Sequence, residues 1–136
     1  MSISETAPVS SGALWTGRAL SGLIVLFMVF DGAIKLPPLD VVIQTMVPLG
    51  WPAEPNVARL LGIIGLIATA LYALPRTSVL GAILLTAYMG GAIATNARIG
   101  NPLFSHTLFG VYLGVMLWGG LYLRDPRLRA LIPFSR

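Results

Sequence analysis

The sequence predicts an all-α integral membrane protein, an up-down bundle of four spanning helices with a short amphipathic helix in its first outer connection. Three observations carry this expectation. Hydrophobic residues make up 56% of the 136 and charged residues only 10%, whereas a soluble domain carries about 25% charged residues. The charges are also widely spaced: none falls in 19–30, 60–75 or 77–97, and none in 99–123 with His106 neutral. A membrane helix needs about 20 mostly apolar residues, and the period-2 alternation of a small membrane barrel is absent.

The composition excludes disorder, collagen and a typical water-soluble enzyme. The chain has no cysteine, so it cannot by itself build a disulfide framework, a zinc-thiolate site, an iron–sulfur cluster or dithiol chemistry. Its net charge of +4 sits mostly in the last thirteen residues, beside greasy sequence. The expected partner is therefore the lipid bilayer with its anionic surface, and not nucleic acid.

Each element has a local reason. Residues 1–13 read as a flexible polar tail without the basic start of a removed signal peptide. The transmembrane domain covers 14–125. Span one is expected over about 14–36, stopped by Pro37 and Pro38, which lack the amide hydrogen a helix needs. The connection 37–56 is the only long one. Within it Leu39, Val42, Ile43, Met46 and Val47 follow i, i+3, i+4, i+7, i+8, with Asp40, Gln44 and Thr45 off the stripe. That pattern predicts a surface helix ended by Pro48, either a lid over the bundle or an element tucked onto its neighbours. Span two is expected over 57–74, capped by Asn56 and closed by Pro75, and span three over 78–97, capped by Thr77. Gly100 suits a left-handed turn, and Asn101-Pro102 reads as the cap and first helical residue of span four, 103–123. Such short second and third connections make neighbouring helices antiparallel. The tail 126–136 is basic, and Arg127, Leu128, Arg129, Leu131 and Ile132 suggest a surface foot against anionic headgroups.

Positive charge predicts the direction. Arg18, Arg76, Arg124, Arg127, Arg129 and Arg136 fall at one end, and Lys35, Arg59 and Arg98 at the other. Six against three favours a bacterial inner-membrane protein with both termini cytoplasmic. Trp15 and Trp51 are placed to anchor at the two interfaces, with plain lipid-facing bulk as the alternative.

Helices in lipid associate by close packing, so small residues mark their contacts. Ala82, Thr86, Gly90 and Ala94 form a stripe on span three, Gly110 and Gly114 a pair on span four, and Gly62 and Gly65 thin span two. The stripe predicts internal packing of spans three and four, with a homo-oligomer contact as the alternative.

Polar groups within spans are expensive, roughly 2.5–3.5 kcal/mol for a central Asp or Lys. Asp31 and Lys35 are four apart and share a helical face. Asp31 is expected about 7 Å inside the helix end, with Lys35 snorkelling beside it. By the predicted topology Asp31, Lys35, Arg59, Asn96, Arg98, Asn101 and His106 all lie toward the outer end. One-sided clustering fits a pocket that opens outward, with Phe27, Phe30, Tyr88 and Phe104 as candidate walls. Asp31, Lys35, Asn96, Arg98, Asn101 and His106 are the ligand-binding candidates, and Asp31, Lys35 and His106 the catalytic ones. The bland alternative is a self-neutralised Asp31–Lys35 pair and an interfacial histidine. No metal site is expected from one His and one Asp. Ser105 beside His106 is not a nucleophile–base arrangement, because adjacent helical side chains diverge.

The segments GRALSGLIVLFMVFDGAIKL at 17–36, LGWP at 49–52 and PRTSVLGAILLTAYMGGAIATNARIGNPLFSHTLFGVYLGVMLWGGLYLRDPRLRALIP at 75–133 resemble the DoxX-like family of small bacterial four-helix membrane proteins. Gly32, Lys35 and Leu36 match its G-x-x-K-L helix end. Gly90, Gly91, Arg98, Gly100, Pro102, Ser105 and His106 match its third-helix end and following turn. The resemblance implies a four-helix inner-membrane bundle linked to membrane redox complexes, since the family's name comes from a subunit associated with thiosulfate:quinone oxidation. Many relatives carry an acidic residue where this chain has Gly65, histidine where it has Asn96 and aspartate where it has Asn101. Asp31 stands where relatives often have a small residue, and partial replacement of the lost charge is one reading of it. Three functions stay open: an accessory or anchoring subunit of a membrane oxidoreductase touching quinone, a stand-alone binder or converter of a small lipophilic ligand, and a structural protein without catalysis. No cofactor is expected from the chain's own residues, quinone being the one the resemblance suggests.

Overall fold

The computed structural model describes residues 10–37, 40–52 and 54–131. Pro38 and Leu39, most of the expected N-terminal tail, Ile132 and Arg136 lie outside the described residues. The described chain is helical: α1 (Ser11–Lys35), α2 (Asp40–Met46), α3 (Pro55–Ala73), α4 (Ser78–Arg98), a π-helical turn (Leu103–Thr107), α5 (Phe109–Arg124) and α6 (Pro126–Leu131). Four of these stretches are long and apolar enough to cross a membrane, the fourth running from Leu103 through Arg124. They form an up-down bundle in which α1 and α4 each pack against α3 and α5.

Helix ends follow local chemistry. The Ser10 hydroxyl accepts from the Ala13 amide and starts α1. At α3 it is Glu54, not Asn56, that caps, with Pro55 at the first helical position, where its missing amide hydrogen costs nothing. Asn56 instead accepts from Arg59, whose Nε donates to the Leu36 carbonyl at the end of α1. Pro102 is the cap rather than the first residue of its helix. Its carbonyl accepts from both His106 and Thr107, the widened pattern of a π turn.

Packing departs from the expected stripe. Close backbone crossings are made by α1 with α3 and α5, and by Gly81 at the start of α4 against Tyr72 at the end of α3. A Cβ on Gly17 would lie 2.7 Å from the Gly120 carbonyl of α5, and one on Gly62 of α3 would lie 2.8 Å from the Gly32 carbonyl. On α4, by contrast, only Ala82 of the stripe is buried; Thr86, Gly90 and Ala94 are exposed, and Gly90 has open space where a Cβ would go. The reason is helical phase. A spacing of four residues drifts about 40° per step at 3.6 residues per turn, so the stripe winds off the interface. The buried face of α4 runs through Ser78, Ala82, Leu85 and Met89 instead. There Gly110 of α5 admits Ile93 and the Met89 carbonyl, while Gly114 meets nothing.

The core joins Ile24 and Met28 of α1, Ala68 and Tyr72 of α3, Leu85 and Met89 of α4, and Leu117 and Leu121 of α5. A smaller cluster seats α2: Val42 and Met46 pack with Ala58. The short helix thus tucks its apolar side onto α3, while Val47 is exposed. The expected headgroup foot is also partly redirected. Arg127 pairs with Asp125, and Arg129 donates to the carbonyls of Tyr122 and Leu123 at the end of α5.

Candidate functional site

At the end of the bundle where α1 finishes, a cavity of about 380 Å³ lies between α1, α4 and the start of α5. Its walls are mainly apolar, with Phe27, Met28, Tyr88, Phe109 and Leu113 among them. Phe27 meets Phe109 edge to face, ring centroids 5.5 Å apart. The segment after α2 supplies the roof through Met46, Leu49 and Trp51.

Four of the six ligand-binding candidates line this cavity: Asp31, Lys35, Asn96 and His106. The Lys35 Nζ donates to Asp31 Oδ2 at 2.7 Å and to the Tyr88 hydroxyl at 2.8 Å. An ammonium carries three N–H donors, so one remains beyond those two bonds. The Tyr88 hydroxyl accepts from Lys35 and keeps its own proton to donate. Asp31 has a second oxygen. Contrary to the expected divergence of adjacent side chains, Ser105 and His106 meet on the π turn: His106 Nδ1 shares a hydrogen bond with Ser105 Oγ at 2.7 Å, which leaves Nε2 as its second polar atom. The cavity therefore combines oily walls with a few polar groups that have hydrogen-bonding capacity to spare.

The other two candidates act at the rim. Arg98 does not line the cavity; its Nη2 donates to the Leu49 carbonyl at 2.7 Å and ties the roof to α4. Gly50 sits beside that bond with φ 89°, a left-handed conformation suited to glycine, and a Cβ there would strike the Arg98 guanidinium. Asn101 donates to Asn96 Oδ1 at 2.6 Å, and Asn96 Nδ2 donates to the Ala92 carbonyl at 2.8 Å. That pair fixes the Asn96 amide with its oxygen toward Asn101. Of the aromatic candidates, Phe27 and Tyr88 line the cavity, whereas Phe30 and Phe104 are exposed on the outside of the bundle.

Sequence reasoning missed two things here. Trp51 forms part of the roof, not merely an interfacial anchor. Tyr88 is the second partner of Lys35, from 53 residues away. No spacing rule links residues on different helices, so only the aromatic hydroxyl itself hinted at that role.

A bundle of four apolar helices long enough to cross a bilayer, with a polar-tipped cavity at one end, defines a multi-pass membrane protein. The chain belongs to the DoxX-like family, whose model matches residues 19–120. The match includes every cavity-lining candidate. No curated protein and no solved structure matches the chain.

Proposed function

We propose that this DoxX-like membrane protein holds a small lipophilic molecule in the cavity where α1 ends, with the ligand's oxygen toward Lys35 and Tyr88. The observation that carries the reading is the donor supply: among the described residues a Lys35 N–H and the Tyr88 O–H have no protein acceptor, beside mainly apolar walls. A quinone ring has carbonyl oxygens that accept such bonds and an apolar tail that suits such walls. On this reading the chain serves a membrane redox system as an accessory, quinone-touching subunit. The Arg and Lys distribution supports placing this end outward in a bacterial inner membrane, with both termini cytoplasmic.

Trp51 supplies the test, because it lines the cavity while Trp15 and Trp118 do not. The protein in nanodiscs is titrated with a short-chain ubiquinone analogue and its tryptophan fluorescence is followed. Saturable quenching that disappears in Trp51→Phe, and that needs higher ligand in Lys35→Met, is expected. Linear quenching that is identical in all three proteins would remove the proposal.

A further inference from the structure

We infer that the opposite end of the bundle carries a built site for one anionic phospholipid, on the groove between α1 and α3. A cavity of about 610 Å³ lies there, lined by Arg18, Ser21, Tyr72 and Arg124, with Val25 and Leu26 continuing it along α1. Leu26 is 71% exposed, so the groove opens to the hydrocarbon side of the bundle.

A directed chain of hydrogen bonds holds the arginine. The Tyr72 hydroxyl donates its one proton to the Leu117 carbonyl at 2.7 Å. Its 2.8 Å contact with Ser21 must therefore run from the Ser21 hydroxyl to the Tyr72 oxygen. Ser21 Oγ is then free to accept, and Arg124 Nε donates to it at 3.0 Å. The Arg124 guanidinium also lies 5.4 Å from the centre of the Tyr72 ring. Both contacts leave its two terminal nitrogens without a protein partner among the described residues. Among the described residues Arg18 makes no side-chain hydrogen bond, and its guanidinium rests 5.1 Å from the Trp15 ring centre.

The charge around them is mainly positive, with Asp125 next to Arg124 committed to Arg127. The ion pairs of the described residues are Lys35–Asp31 and Arg127–Asp125, so among those residues neither Arg18 nor Arg124 is in an ion pair. Arg127 and Arg129, the basic residues expected to face headgroups, spend donors on the protein itself. A guanidinium whose Nε is fixed presents its terminal N–H groups in a planar fork that matches phosphate oxygens. Fixing that fork before binding also lowers the ordering cost of the complex. The apolar stretch along Val25 and Leu26 then accepts the start of an acyl chain. Arg18 and Arg124 both lie just outside the span matched to the family.

The test uses the full chain in non-ionic detergent, titrated with dioleoyl phosphatidylglycerol or dioleoyl phosphatidylcholine, with bound lipid read by native mass spectrometry. Two basic groups near a lipid surface favour the anionic headgroup by roughly 30-fold. A single retained phosphatidylglycerol is expected, weakened several-fold by Arg18→Gln and more by Arg124→Gln, but not by Arg127→Gln. Arg18→Gln sacrifices no side-chain hydrogen bond among the described residues, so it decides the matter even if Arg124→Gln fails to fold. Equal retention of both lipids, no effect of Arg18→Gln, an equal effect of Arg127→Gln, or displacement by inorganic phosphate at the same concentration would overturn the assignment.

Discussion

Removing one member of the Asp31–Lys35 pair should destabilise the bundle more than removing both. The Nζ–Oδ2 separation is 2.7 Å, and the side chains are 17% and 28% exposed for Lys35 and Asp31. Exposed ion pairs contribute about 0–1 kcal/mol, while breaking a buried one costs about 3–5 kcal/mol. This pair lies between those limits, and what remains exposed faces a mainly apolar cavity. Asp31→Ala should cost about 2 kcal/mol, because Lys35 keeps the Tyr88 hydroxyl. Lys35→Met should cost about 3 kcal/mol, since Asp31 has no other hydrogen-bond partner among the described residues. The double variant buries no charge there and should fall within about 1 kcal/mol of the parent. Unfolding in mixed detergent–SDS micelles measures all four proteins of the cycle. The reasoning fails if the double variant is as destabilised as the two singles added together, for then each side chain acts through packing alone.

Three further outcomes follow from the same geometry. Gly81→Ala should cost more than about 3 kcal/mol or prevent folding, because the added Cβ meets the Tyr72 backbone, whereas Gly90→Ala should change stability by less than about 0.5 kcal/mol; similar melting temperatures for the two would contradict the packing described. Tyr72→Phe removes a hydroxyl that touches α1 and α5 at once and should lose about 1–2 kcal/mol in the micelle assay; an unchanged midpoint would show that the network adds no stability. Burial pushes the Asp125 carboxyl up, but hydrogen bonds from the Arg127 side chain and amide, with the charges of Arg127 and Arg124, outweigh it and hold the group below its usual range. Its folded pKa lies below the unfolded value of about 3.9, so its contribution is complete above that value and fades as pH falls through the folded pKa. The melting-temperature gap between parent and Asp125→Asn should therefore be constant from pH 7 to 5 and shrink below about pH 4; a gap that grows on acidification would reverse the sign.

How much could be read from sequence depended on whether the information was local. The four helices were legible because a bilayer imposes one requirement on every residue of a span, and the charge-free runs 19–30, 60–75, 77–97 and 99–123 mark them without any tertiary knowledge. Asp31 and Lys35 could be paired because four residues is a helical neighbour distance. What failed was phase and register between helices. The Ala82–Ala94 stripe has small residues at a regular interval, yet its interval drifts around the helix while Leu85 and Met89 hold the interface. Ser21, Tyr72 and Arg124 are separated by 51 and 103 residues from one another's partners in their two side-chain bonds, and no one-dimensional pattern brings them together. A hydropathy reading treats Ser21 and Tyr72 as nearly neutral members of a span.

The same distinction explains why polar groups sit at both ends of the bundle and not only at the end where Lys35 lies. A serine and a tyrosine cost little to insert, so they leave no gap in an apolar run. Their cost appears only if they are unpaired after folding. Here every bond of the chain Arg124–Ser21–Tyr72–Leu117 has a donor and an acceptor. The close approach of Gly17 to Gly120 puts the α5 backbone at Arg124 against α1, within reach of Ser21. Glycine contact and polar network are thus one device: a Cβ on Gly17 would press on the Gly120 carbonyl at 2.7 Å and on the Arg124 Cβ at 3.1 Å, forcing α5 outward and breaking the Arg124–Ser21 bond.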